Sequence, residues 1–183
     1  VGVLAQPDWR REESFLALGK PRLAFLVSGG NIDSMVAHYT TAKRRRSEDE
    51  YSPGGKAGYR PDRPTIVYTR QLKKLFPSVP VIIGGLEASL RRFAHYDYWD
   101  DTVRPSVLAD AEADLLSYGM GENQTIQIAR RLAAGEPVSA LTDIRGTCYL
   151  SDTAPAIPGA ISCASFEKVA QDKEAYARAF KIQ

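Results

Sequence analysis

Glu87, Arg91, Arg92, His95 and Asp97 crowd into one short window that also carries Tyr96, Tyr98 and Trp99. Carboxylate, guanidinium and imidazole groups together can bind an anion or move protons. The same groups can instead form an internal salt-bridge set that fixes a loop. The sequence leaves both readings open. Glu87, Arg91 and His95 recur every four residues, so a helix would put them on one side. The rings of Tyr96, Tyr98 and Trp99 can stack on a ligand ring or pack in a core.

Something must position this window. Val81, Ile82 and Ile83, bounded by Pro80 and by Gly84-Gly85, have the profile of a strand buried on both faces of a parallel sheet. Two more apolar runs, Arg22 to Val27 and Ala113 to Tyr118, read as strands and also end in glycine loops. The three loops are Ser28-Gly29-Gly30-Asn31-Ile32-Asp33-Ser34, Gly84-Gly85-Leu86-Glu87-Ala88-Ser89 and Gly119-Met120-Gly121-Glu122. In a parallel sheet all three fall on the carboxyl edge, where open α/β folds bind ligands. They can cradle a ligand with backbone amides, or the glycines can simply make tight turns. No Gly-x-Gly-x-x-Gly and no Gly-Lys-Ser/Thr occurs, and Glu87 and Glu122 would repel a bare phosphate.

The chain has 183 residues, 44% of them hydrophobic, with a net charge of +2. That fits one domain with a substantial core, and it does not announce a nucleic-acid or membrane partner. No apolar run approaches the ~20 residues of a membrane-spanning helix, and no signal peptide is visible. Cys148 and Cys163 form no Cys-x-x-Cys pair, so they make no metal-ligand set, and free thiols are expected. His38 and His95 are too few for a histidine-rich metal site, and His38 reads as structural.

Taken in order, Val1 to Ala5 reads as a strand. Glu13 to Leu18 reads as a helix closed by Gly19, and a helix follows Asn31 with Ile32, Met35, Val36 and Tyr39 on one face. Residues 43–63 read as a long solvated loop without a regular element, broken by Pro53, Gly54, Gly55, Gly58 and Pro61. Its Lys43 to Arg46 run, with Arg60 and Arg63, could alternatively grip phosphates. Pro64 opens a helix with Tyr68, Leu72, Leu75 and Phe76 facing inward, and Pro77 ends it. Asp100 and Asp101 make a polar turn, with Val107-Leu108 as an anchor. A helix carrying Ile126, Ala129, Leu132 and Ala133 stops at Gly135. Thr147 to Leu150 reads as a further strand. Ser165 caps one final helix with Phe166, Val169, Lys173, Tyr176 and Phe180 in a stripe.

Several long motifs, in order, resemble the YgiQ-type radical S-adenosylmethionine proteins. They are Ser28-Gly29-Gly30-Asn31-Ile32-Asp33-Ser34-Met35-Val36, Tyr51-Ser52-Pro53-Gly54-Gly55, Arg60-Pro61-Asp62-Arg63-Pro64 and Gly84 through Trp99. The resemblance runs from Val1 to about Asp152. It implies the amino-terminal portion of a larger bacterial, cytoplasmic enzyme. In that family a downstream barrel carries Cys-x-x-x-Cys-x-x-Cys, which binds a [4Fe-4S] cluster that cleaves S-adenosylmethionine. That motif is absent here, so neither Cys148 nor Cys163 inherits a ligand role, and no metal or cofactor is expected in this stretch. The resemblance extends to the cobalamin-binding-like domain of other radical SAM enzymes, whose matching loops face the corrin. Two departures stand against cobalamin here: the first strand of that fold would lie before Val1, and Glu87 sits in a charged insertion.

The expected fold is α/β, a three-layer sandwich on a mainly parallel sheet of Rossmann or flavodoxin type. Residues 1–150 form the domain and 151–183 a connection and helix toward the barrel. The expected role is to cover or shape that barrel's active site, with the barrel as partner and the substrate unnamed. The candidate polar contacts are Glu87, Arg91, Arg92, His95 and Asp97. The candidate ligand-binding residues are Ser28, Gly29, Gly30, Asn31, Asp33, Gly84, Gly85, Ser89, Tyr96, Tyr98, Gly119, Gly121 and Glu122. The alternatives are a cobalamin- or nucleotide-binding module without its own chemistry, or a nucleic-acid-contacting domain.

Overall fold

The computed structural model describes residues 1–183. Its centre is β2 (Val81–Gly84), flanked by β1 (Phe25–Ser28) and β5 (Leu115–Ser117), both parallel to it. The short β6 (Thr147–Cys148) adds antiparallel to β5, giving the order β1-β2-β5-β6. The sheet is therefore mixed but mostly parallel. A separate antiparallel hairpin, β3 (His95–Asp97) and β4 (Thr102–Arg104), stands apart from it.

Alternation along β2 makes the layers. Val81 and Ile83 enter one core with Phe15, Ile66, Tyr68 and Leu72, from α1 (Glu12–Leu16) and α3 (Pro64–Leu75). Ile82 turns the other way, to Leu115, Ile128 of α6 (Glu122–Ala133), Leu141 and Ile144. Helices cover both faces, so the three-layer α/β architecture expected from the sequence is what forms. Pro64 stands at the first position of α3, and Gly135, at φ +88°, follows the end of α6. Val107 and Leu108 open α5 (Val107–Asp110) and anchor the chain, both essentially buried. No helix is long and apolar enough to cross a membrane.

Several expectations need correction. Ile32 and Tyr39 lie outside the helix Ser34–His38 and Val36 is exposed, so they form no buried face, and Ile126 of α6 is also exposed. Val1 to Ala5 forms no strand; it pairs with nothing and lies exposed. The helix after β2, α4 (Gly85–Leu90), ends at Leu90, and His95 lies in β3, so Glu87, Arg91 and His95 share no helical face. The terminal helix is broken at Asp172, whose extended backbone (φ −127°, ψ 111°) and carboxylate cap a new helix. The pieces are α7 (Phe166–Gln171) and α8 (Lys173–Ile182). The break rotates the stripe: Val169, Ala175 and Ala179 are buried while Phe180 is exposed. Ser165 does cap α7 through the Lys168 amide. Finally, residues 43–63 are not a wholly solvated loop. They contain a one-turn 3-10 helix at Pro53–Gly55 and bury Asp49, Ser52 and Arg60.

Candidate functional site

Parallel pairing of β1, β2 and β5 brings the three glycine loops to one edge. Ser28 lies beside Gly84 in register, and the Ser89 hydroxyl accepts the Gly119 amide at 3.1 Å. The packing is tight enough to require glycine. A Cβ on Gly85, at φ +80°, would lie 2.6 Å from the Ser28 hydroxyl oxygen.

Beneath the loops sits Glu87, 1% exposed. Its Oε2 accepts the Ser34 amide at 3.0 Å and its Oε1 the Thr65 amide at 3.2 Å. Ser34 opens α2 (Ser34–His38) and Thr65 lies in the first turn of α3. One carboxylate thus satisfies amides at two helix N-termini, where negative charge is favourable. Asp33 caps α2 by accepting the Met35 and Val36 amides at 3.0 and 3.4 Å, and its other oxygen pairs with Arg91.

The remaining candidates are held in the same way. Asp97 Oδ2 accepts Nε and Nη2 of Arg63 at 3.1 and 2.7 Å, and its Oδ1 accepts the Trp99 and Asp100 amides. Burial pushes the Asp97 carboxyl up, but the Arg63 guanidinium and the Asp100 and Trp99 amides together hold its pKa below the usual range. His95 stands 3.1 Å from the Phe93 carbonyl, and burial holds its imidazole below its ordinary pKa, so it is neutral near pH 7. Tyr96 donates to Asp101, and Tyr98 to the Thr41 carbonyl, on the hairpin side of the molecule. Arg92 forms no ion pair; it stacks on Phe93 and Tyr118 at 5.1 and 5.0 Å and donates to the Ser89 carbonyl. Gly30, Asn31, Gly119 and Glu122 lie at the exposed surface, and Glu122 opens α6. Gly121 caps α6 with its hypothetical Cβ 3.1 Å from Ser117 Oγ.

A second polar cluster escaped the sequence reading. Asp49 is buried beside Arg60, which donates Nε and Nη2 to it at 3.0 and 2.9 Å. Ser52 and the Tyr51 amide also donate to Asp49. His38 Nδ1 lies 2.7 Å from Asp62, and its Nε2 faces Asp49 at 3.6 Å. Tyr39 donates to Asp62 at 2.6 Å. Burial raises both carboxyls, yet hydrogen bonds leave both below the usual range: Arg60 acts on Asp49, Tyr39 and His38 on Asp62. Arg60 also donates to the Gly29 carbonyl at 3.2 Å, which straps residues 43–63 over the first glycine loop. The Arg60-Pro61-Asp62-Arg63-Pro64 motif was the available signal. Arg60 and Arg63 are engaged by Asp49 and Asp97.

Two depressions lie away from the edge: one of about 310 Å³ at the opposite edge, around Arg22, Pro80 and Pro137, and one of about 460 Å³ between Cys163 and α8. The Glu87 side chain closes against Gly29, at 3.1 Å from a hypothetical Cβ. What the arrangement does chemically is hold three loops rigid.

Known proteins share this chain along its whole length. A UPF0313 protein of Geobacter sulfurreducens is 56% identical over 183 residues, all of this chain and 30% of that protein. A UPF0313 protein of Clostridium botulinum is 53% identical, covering 28% of it, and one of Thermotoga petrophila 50% identical, covering 32%. The chain spans less than a third of the length of these relatives. No solved structure matches it. The family described as Radical SAM N-terminal matches residues 1–183, and the chain belongs to that family.

Proposed function

We propose that this domain is a rigid cover for the active site of a radical SAM iron–sulfur enzyme, and that the chemistry resides in the rest of the polypeptide. The single observation that carries this is the internal use of the candidate catalytic groups. Glu87 and Asp97 are bound to backbone amides, Asp97 also to Arg63, and Arg91 to Asp33, so of the five candidates only Arg92 and His95 lack an ionic or amide tie of this kind.

The family implies a [4Fe-4S] cluster and S-adenosylmethionine in the full-length protein. The residues present here do not fit the cluster. Cys148 is half-buried in β6 with its thiol pushed up by burial, and Cys163 is exposed far along the chain. A cluster needs several thiolates converging on one point, and no group of three or more metal-ligating side chains occurs. These residues therefore take part in no step of the reaction proposed for the full-length protein.

Anaerobic reconstitution with iron and sulfide tests the division of labour, run in parallel on the full-length protein and on residues 1–183. The expected result is a cluster, and deoxyadenosine from S-adenosylmethionine, with the full-length protein only. A full-length protein that takes up no cluster would remove the enzyme reading and favour a binding module.

A further inference from the structure

The polar groups of the carboxyl edge turn inward, and the side chains left at its tips are apolar. Leu86 and Leu90 lie one turn apart on α4, away from its buried residues Glu87 and Ala88. Phe93 follows just past the helix end. The bond from the Gly119 amide to Ser89 ties the next loop to α4, so Met120, one residue on, lies at the same edge. Leu86, Leu90, Phe93 and Met120 are 45, 61, 42 and 82% exposed. Clustered apolar exposure of this kind marks an interaction surface.

We infer that these four residues are the docking face for the remainder of the same polypeptide. The inference rests on the covering role proposed above and names the face that does the covering. Two observations favour that occupant over any other. The relatives carry more than two thirds of their length outside the matched residues, so a partner is tethered in cis at high effective concentration. Arg92, without a carboxylate of its own, borders the patch through its stack on Phe93 and offers a cation to an acidic group on the docked portion.

Hydroxyl-radical footprinting of the full-length protein tests this, with Leu18, 57% exposed and remote from the edge, as the internal comparison. Corrected for side-chain reactivity, Met120, Leu86 and Leu90 are expected to label roughly tenfold more slowly than Leu18, as residues in a packed interface core do. The double variant Leu86→Asp, Leu90→Asp should return Met120 to the rate of an exposed residue. Labelling of Met120 at the exposed rate in the unaltered protein would overturn the inference. So would protection that vanishes on dilution, which assigns the face to a second copy of the chain. Iron content and deoxyadenosine yield of the same sample report separately on the enzyme reading. A protected patch without a cluster sinks only that reading, and a cluster with an open patch sinks only the docking face.

Discussion

The buried Glu87 carboxylate accepts the backbone amide of Ser34 at 3.0 Å. Its second oxygen accepts the Thr65 amide, so each oxygen faces a donor. This arrangement demands a carboxylate. A carboxamide presents one oxygen and one N–H₂, so Glu87→Gln would leave one buried donor pair facing each other. The expected loss is about 1–3 kcal/mol, seen as a melting temperature lower by about 2–4 °C per kcal/mol. An unchanged melting temperature would show that Glu87 is not a structural tie.

The buried Asp49–Arg60 pair holds residues 43–63 against the first glycine loop. Asp49→Asn leaves the guanidinium buried without its counter-charge, at a cost of about 3–5 kcal/mol. Limited proteolysis should then cut between Arg44 and Lys56 well before the sheet. Cutting there at the wild-type rate would contradict the strap.

The pH dependence follows from this cluster and from Asp97, which pairs with Arg63. Asp49, Asp62 and Asp97 have folded pKa values below their unfolded ones. The unfolded chain binds more protons, so these groups stabilise the fold above the unfolded pKa of about 4. That stabilisation is lost as pH falls through the folded values. Chemical denaturation should show stability flat from neutrality to about pH 5 in this respect, then falling below about pH 4. A variant with Asp62→Asn should fall less steeply, and an equal slope would exclude Asp62 as a contributor.

Two glycines separate strain from crowding. Gly85 and Gly135 both have positive φ, but a Cβ on Gly135 meets nothing within 4 Å while one on Gly85 strikes Ser28. Gly135→Ala should cost roughly 1–2 kcal/mol from backbone strain alone. Gly85→Ala should add about 1–3 kcal/mol of overpacking, and pairing it with Ser28→Ala should recover part of that difference. Equal melting temperatures for the two single variants would show that the close approach is not rigid.

Much of the fold was legible because the signals were local. Val81–Ile83 is β-branched and bounded by proline and glycine, Pro64 and Pro77 bracket α3, and Gly135 marks the end of α6. The edge was legible too, since parallel strands force their following loops together. What the sequence hid was non-local. The Asp49–Arg60 and His38–Asp62 pairs join residues distant along the chain, and no periodicity encodes such a partnership. The same limit made residues 43–63 read as a solvated loop. Val1 to Ala5 read as a strand from composition, but strands need a neighbour, and none is available. The acids and arginines of Gly84–Trp99 were read as either chemistry or internal ties. Burial of Glu87 and Asp97, and their bonds to amides and Arg63, were invisible in the sequence.

As a cover, this domain would shield an iron–sulfur site carried by the rest of the protein. The most direct measurement compares cluster bleaching by oxygen in the reconstituted full-length protein and in a form lacking residues 1–183. Faster bleaching without the domain, by several-fold or more, is the expected result. Equal rates in two forms that both hold the cluster would contradict the account.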